Sequence, residues 1–430
     1  MSTLFVSVGQ CGNQVGSSFW EQVLNWNKTE GLERHAVKKA HTPFVHHSGS
    51  LPWIMVDSEG KVVRSCLSKR VGQLVPPENK LSHRRGYGSN WALGYGEQKG
   101  EESLMQLTLE RIRKEVEKLD MFSGTVVFHS LAGGTGSGFG SRLVELLRDE
   151  YPLAYILSMA VTPFHTGETP LQHYNSLLCL SWLQKYVDGI MLFSNDSVLA
   201  SVQKMDAKSK AASAAAVSFK KLNSYISSTI STTLIPVYDN RKHRKLSVGK
   251  EAWEVIQSAC PTPSMKFLTP LHSWGTKVST SWDQLIHHFA NSSLTRRFSV
   301  NNETVFPTTS SLLLTARSSP NSMAELERSL KSMETKLINC CNPVAWNPFP
   351  TDIRMSYEPW LNDRKYLTIC ANNSSITDYM NTVSTKARIM YNEGAYLHWY
   401  TRYGCERDHF KEAFELMDET MSCYLSHSKT

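Results

Sequence analysis

The most informative segment of the sequence is Leu131-Ala132-Gly133-Gly134-Thr135-Gly136-Ser137-Gly138. It sets four glycines in six residues between an apolar run, 125–131, and a helical pattern that opens near Phe139. Glycines this dense let the backbone turn sharply and aim successive N–H groups at an anion. Thr135 and Ser137 add hydroxyl donors, and the helix that follows presents its positive end. Such a set suits a di- or triphosphate. No Lys-Ser/Thr pair follows the glycines, so the stretch is not a Walker A loop. Gly136-x-Gly138 also lacks the third glycine of the dinucleotide fingerprint. The bland alternative is a flexible surface loop.

Working outward, a second glycine turn, Gly9-Gln10-Cys11-Gly12-Asn13-Gln14, follows the apolar run 3–8 and enters a helical pattern over 15–24. Two such turns at the ends of parallel strands line one crevice, the place where open α/β sheets bind nucleotides. Further short apolar runs at 53–56, 154–161 and 189–193 alternate with helical patterns. One helix carries Met105, Leu109, Ile112, Val116 and Leu119 on a single stripe. This alternation predicts an α/β protein with a parallel, Rossmann-like sheet.

The texture changes after Asn195. Residues 207–216 (AKSKAASAAA) read as a loose connection or a short helix, and 222–235 as a longer helix ahead of the basic run 241–245 (RKHRK). A second set of strands follows around 265–268, 311–315 and 366–371, and helices close the chain from about residue 376. The last helix aligns Phe410, Phe414, Met417, Met421 and Tyr424. Domains are therefore expected at 1–200, 201–375 and 376–430, with no internal repeat.

Composition narrows the class. The 430 residues carry 46 Lys+Arg against 39 Asp+Glu, a net charge of +7, with 41% apolar and 20% charged residues. That is a globular balance, with no apolar run near the ~18 residues that span a bilayer. The first residues lack a basic start and long apolar stretch, so no secretory signal is expected. Nine cysteines without a Cys-x-x-Cys argue against a disulfide framework and a zinc site, and favour a reducing compartment, cytosol or nucleus. The dispersed +7 comes with no nucleic-acid-binding motif.

Taken together, Gly9 to Gly16 (GQCGNQVG), Phe19-Trp20-Glu21, Asn90-Trp91-Ala92, Gly133 to Gly138 (GGTGSG), Tyr174-Asn175 and Leu397-His398-Trp399-Tyr400-Thr401 resemble the tubulin family, in the family's order along the whole chain. The resemblance implies a Rossmann-like parallel-sheet GTPase domain, a central helix, a smaller α/β activation domain and C-terminal helices. It implies GTP/GDP and Mg²⁺ as cofactors. Gly133, Gly134, Thr135, Gly136 and Ser137 would wrap the phosphates, with Gln10 and Cys11 beside them and Gly88, Ser89 and Asn90 on a neighbouring loop. Asp57 and Glu59 would face Mg²⁺ or its waters, as suits a hard cation. Glu168 would lie near the ribose, Asn195 and Asn223 would bond guanine with Gln14 close by, and Phe219 would stack on the base in place of the family's tyrosine.

Several positions depart from the family pattern. Ala132 replaces a glycine, Ser89 an asparagine, Tyr87 a small residue, and Gly249 another asparagine. Glu254 holds the position of the acid that completes hydrolysis on a neighbouring subunit, with Glu251 three residues earlier; the alternative is two acids favoured by a helix dipole. The loop 272–280 looks short, and the end Ser426-His427-Ser428-Lys429-Thr430 lacks the glutamate-rich tail of the α and β classes. These features look most like the minor delta class, with the zeta class a close rival. That resemblance implies a cytoplasmic, cytoskeletal protein of centrioles or basal bodies. Its partners would be other tubulins, microtubules or centriolar proteins, with no membrane or nucleic acid involved. A polymer-forming GTPase and a non-hydrolysing adapter that keeps its nucleotide remain alternatives.

Overall fold

The run 3–8 is buried at every residue, as a parallel strand covered on both faces must be. It is the first strand of the protein, here described from a computed structural model over residues 2–29, 44, 49–67, 70–83, 86–96, 103–167, 169–208, 217–238, 247–249, 251–275, 280–290, 295–300, 303–362 and 364–426. Glu168, the basic run 241–245, and residues 209–216, 276–279 and 427–430 of the segments singled out above lie outside the described residues.

In chain order, β1 (Thr3–Val8) leads into α1 (Gly9–Thr29), and β2 (Trp53–Asp57) into α2 (Gly60–Leu67), α3 (Arg70–Leu74) and β3 (Lys80–Ser82). Next come α4 (Trp91–Gly96), α5 (Leu104–Val116), β4 (Gly124–Ser130), α6 (Gly140–Glu150), β5 (Tyr155–Thr162), α7 (Gln172–Tyr186) and β6 (Gly189–Ser194). Then follow α8 (Asn195–Lys208), α9 (Phe219–Leu234), the pair β7 (Val237–Tyr238) and β8 (Ser247–Val248), α10 (Trp253–Ala259) and β9 (Phe267–Trp274). After α11 (Trp282–Ala290) and the pair β10 (Phe298–Val300) and β11 (Glu303–Val305) come β12 (Thr309–Arg317), α12 (Pro320–Cys341), β13 (Thr351–Ser356) and β14 (Tyr366–Asn373). The chain closes with α13 (Ile376–Asn392), α14 (Leu397–Thr401) and α15 (Arg407–Ser426).

These elements form two compact units, Met1–Glu21 with Phe44–Asp196 and Tyr379–Met421, and Gln22–Pro43 with Ser197–Asp378 and Ser422–Thr430. In the first, the strands run β6-β5-β4-β1-β2-β3, every neighbouring pair parallel. The expected separate region 376–430 is not how the chain groups, because Tyr379–Met421 belongs to this first unit. The reason is aromatic packing: the rings of Tyr174, Tyr400 and Phe410 stand 4.8–5.4 Å apart. In the second unit the order is β13-β12-β14-β9, with β12 parallel to β13 and antiparallel to β14. Its core joins Trp282 of α11 and Met323 and Leu326 of α12 to Leu314, Leu367 and Ile369 of the sheet.

Two details differ from the sequence reading. The buried face of α5 is Leu104, Met105, Thr108, Ile112 and Glu115, while Leu109 and Val116 are only half-buried. Glu115 can face inward because Arg111 (2.5 Å) and Lys118 (2.7 Å) pair with it. Strand β9 runs past 268 to Trp274, since His272 is held inside by Ser228 (3.1 Å) and Thr368 (2.7 Å).

Candidate functional site

At the C-terminal end of β1 the chain turns through Gly9, whose φ of +73° favours glycine. A Cβ there would stand 3.0 Å from the Gly136 nitrogen, so the two glycine turns touch. Asn13 ties the turn to the next strand end by donating to Gly9 O and Val56 O, both at 2.9 Å. Its Oδ1 is buried with no partner among the described residues. Gln10 is exposed, and Cys11 and Gln14 are half-buried on the first turns of α1.

The turn after β4 becomes a short π-helical segment, Gly134–Phe139, that runs into α6. Its N-cap is Gly133, which supplies no side-chain cap, so the first N–H groups stay open to a ligand. Gly134 is required by crowding: a Cβ would meet Tyr87 O at 2.5 Å and Asn90 N at 2.9 Å. The hydroxyls turn inward. Ser137 Oγ donates to Gly133 O, and Thr135 Oγ1 pairs with Ser58 Oγ at 2.6 Å. Positive φ occurs at Gly88 and Ser89 but not at Ala132, so alanine is accommodated there.

Above this turn, Asn90 is buried and caps α4: its Oδ1 accepts from Ala92 N (2.8 Å) and Leu93 N (3.3 Å), and its Nδ2 donates to Trp399 O (3.2 Å). Its amide is thereby a positioning group, and Gly88 and Ser89 form the open part of the loop. Tyr87, which stands in place of the family's small residue, is a core residue at 5% exposure. Asn175, with no exposed surface, donates to Ser89 O and Ala132 O, both at 2.7 Å.

Two acids follow β2. Asp57 is buried and Glu59 exposed. Burial pushes the Asp57 carboxyl up to about 6, opposed by the backbone N–H of Glu59 and reinforced by the Glu59 charge. Further along, Asp196 Oδ2 accepts from His165 N at 2.9 Å and steadies the turn at Gly167, next to Glu168; Asn195 begins α8, half-buried.

In the second unit, α9 starts with Phe219 at 60% exposure, and Asn223 follows one turn later, half-buried. At α10 the carboxylate of Glu254 folds back on its own helix entry, accepting from Gly249 N (2.7 Å) and Glu251 N (3.2 Å). Gly249 has φ +76°, and a Cβ there would stand 3.0 Å from Arg354 Nη1, so glycine fits where the family has asparagine. Buried Arg354 closes the turn, donating to Glu254 O (3.2 Å) and Ser258 Oγ (2.8 Å).

Residues 2–203 match the Tubulin/FtsZ family, GTPase domain. That match places a Tubulin/FtsZ-type GTPase domain in the first half of the chain. The tubulin delta chains of Homo sapiens and Mus musculus are 27% and 26% identical to it over 476 and 473 residues, 99% of either chain in each case. The tubulin beta chain of Cicer arietinum is 28% identical over 448 residues, 98% of this chain and 94% of its own. The matched domain is of the GTP/GDP-binding kind, and the chain is delta-tubulin-like along nearly its whole length. No described helix is long and apolar enough to cross a membrane.

Three residues that shape the site were given no role from the sequence. Asn13 and Asn175 lie within quoted motifs, and Ser58 stands between the two named acids Asp57 and Glu59. The residues at the strand ends fit the family's nucleotide: an uncapped helix end for phosphate, and hard oxygens on Asp57 and Glu59 for a divalent cation.

Proposed function

We propose that this chain holds a guanine nucleotide with its phosphates on the Gly133–Gly138 turn and acts as a specialised subunit in centriolar or basal-body microtubules. The observation that carries the nucleotide reading is the uncapped helix start behind Gly133, at the carboxyl end of a parallel sheet. The likeness to tubulin delta chains along 99% of the chain supports the second half. In this reading Gln10, Cys11, Gly88 and Ser89 border the phosphates, and Asp57 and Glu59 hold Mg²⁺, directly or through water, which would neutralise phosphate charge. The base roles of Gln14, Asn195, Phe219 and Asn223 and the ribose role of Glu168 are tested by guanine-over-adenine preference in single alanine variants.

Denaturing freshly purified protein and identifying the released nucleotide tests the core of the reading. Stoichiometric GTP or GDP is expected; no guanine nucleotide would overturn it. A second reading, a subunit that keeps its nucleotide without turnover, is favoured by Glu254, both of whose carboxylate oxygens accept backbone N–H groups of its own turn. It predicts no phosphate release at any protein concentration. Release that rises with concentration would instead assign Glu254, with Glu251 beside it, to hydrolysis on a neighbouring subunit.

A further inference from the structure

Asn175 uses its whole hydrogen-bonding capacity, two donors and two lone pairs, on groups far apart in sequence. Its Nδ2 donates to Ser89 O and Ala132 O at 2.7 Å each, and its Oδ1 accepts from Trp91 N (2.9 Å) and the Tyr400 hydroxyl (2.6 Å). All of these residues belong to the first unit. One amide therefore joins the loop at Ser89, the start of α4, the entry to the glycine turn and helix α14. A second bond runs alongside, from Asn90 Nδ2 to Trp399 O, so α14 is held at two consecutive residues. Its outer side is open: Tyr396 and Trp399 are 41% and 43% exposed, and the Arg402 guanidinium lies 6.0 Å from the Trp399 ring.

The carbonyl of Ala132 and the N–H of Gly133 belong to one rigid peptide plane. An anion bound by that N–H fixes the direction in which the carbonyl meets Asn175. Without the anion the plane is free to rock, Asn175 loses a fixed acceptor, and Tyr400 loses a fixed partner in turn. The Tyr400 ring stays in place regardless, packed edge-on against Tyr174 (5.3 Å) and Phe410 (5.4 Å). Burial keeps its hydroxyl protonated and therefore a donor.

We propose that Asn175 and Tyr400 are positioning residues that couple occupancy of the glycine turn to the order of the exposed side of α14. This rests on the nucleotide reading and adds to it a route by which the bound state is displayed at the surface. The test is amide hydrogen exchange over residues 396–403 of the full chain, loaded with GDP and after stripping with EDTA, together with release of a fluorescent guanine nucleotide. Loading is expected to slow exchange there about tenfold in the unmodified chain. Tyr400→Phe keeps the ring and should bind nucleotide within about threefold, yet lose that loading-dependent difference. Asn175→Asp keeps the shape without the two donors and should speed nucleotide release about tenfold; if it does not fold, Tyr400→Phe decides alone. An unmodified chain that binds nucleotide without a difference in exchange, or a Tyr400→Phe chain with the full difference, overturns the coupling only. An unmodified chain that takes up no guanine nucleotide overturns the functional reading and the coupling with it.

Discussion

Two helix entries in this protein look alike in sequence and differ in what they leave available. Both follow a glycine turn: Gly133 before the π-helical start of α6, and Gly249 before α10. At the second, the carboxylate of Glu254 already accepts two of its own backbone N–H groups. At the first, the cap is a glycine, and the nearby hydroxyls of Thr135 and Ser137 are spent elsewhere. A helix end becomes an anion site only when its own side chains leave it open. Of these two entries, the first holds no acid, and the second has Glu254 folded back over its approach.

The largest expected effect comes from blocking the open end. Gly134→Ala puts a Cβ within 2.5 Å of Tyr87 O, a backbone atom. Loss of co-purifying nucleotide and upwards of ~3 kcal/mol of stability, read by urea unfolding, are expected; normal nucleotide content would show that the turn is looser than it looks. Acid comes next. His129 in β4, under the open end, is buried and held down to about 4, and His272 in β9 down to about 3, in both cases by burial. Their unfolded forms take up a proton near pH 6.5, so their stabilisation is complete above that and is lost as pH falls toward about 4 and about 3. For His129 this is on the order of 3 kcal/mol. Bound nucleotide should offset the loss in the first unit alone, measurable by hydrogen exchange in β4 and β9 at pH 5.

Inorganic pyrophosphate sharpens the contrast directly. At ~100 times its dissociation constant it should protect amides at 133–140 by up to about 2.7 kcal/mol and leave those at 249–254 unchanged; equal protection at both would erase the distinction. Glu254→Ala removes the two hydrogen bonds that brace the approach to α10 and should cost about 1 kcal/mol of stability, by thermal unfolding, without altering nucleotide content. Smallest is Ser89→Asn. Ser89 has φ +52°, a conformation that asparagine tolerates better, so a gain of about 0.5 kcal/mol is expected.

The parts legible in the sequence were those carried by local pattern. Strands β1, β4, β5 and β6 are buried nearly throughout, so each reads as an unbroken apolar run. The glycine turns were visible because close backbone approach leaves no other residue type. Strand β13 was hidden, since Asp352 and Arg354 break its apolar pattern while pairing with each other at 3.1 Å. The rotated face of α5 was hidden for a similar reason: a buried Glu115 looks polar until its partners are placed. Asn175 could not be assigned a role because its partners lie 43, 84, 86 and 225 positions away. No sequence spacing distinguishes an amide that joins four backbone and side-chain groups from one that ends a helix.

Arg317 has a mechanical consequence. It is buried, and its guanidinium donates to Thr232 O (3.1 Å), Pro236 O (3.4 Å) and Ile235 O, the carbonyls that end α9. Sliding that helix by one turn, about 5.4 Å, would leave a cation in the interior without acceptors. The far end of α9 is a fixed pivot. Any adjustment the helix makes must be taken up where it begins, at exposed Phe219.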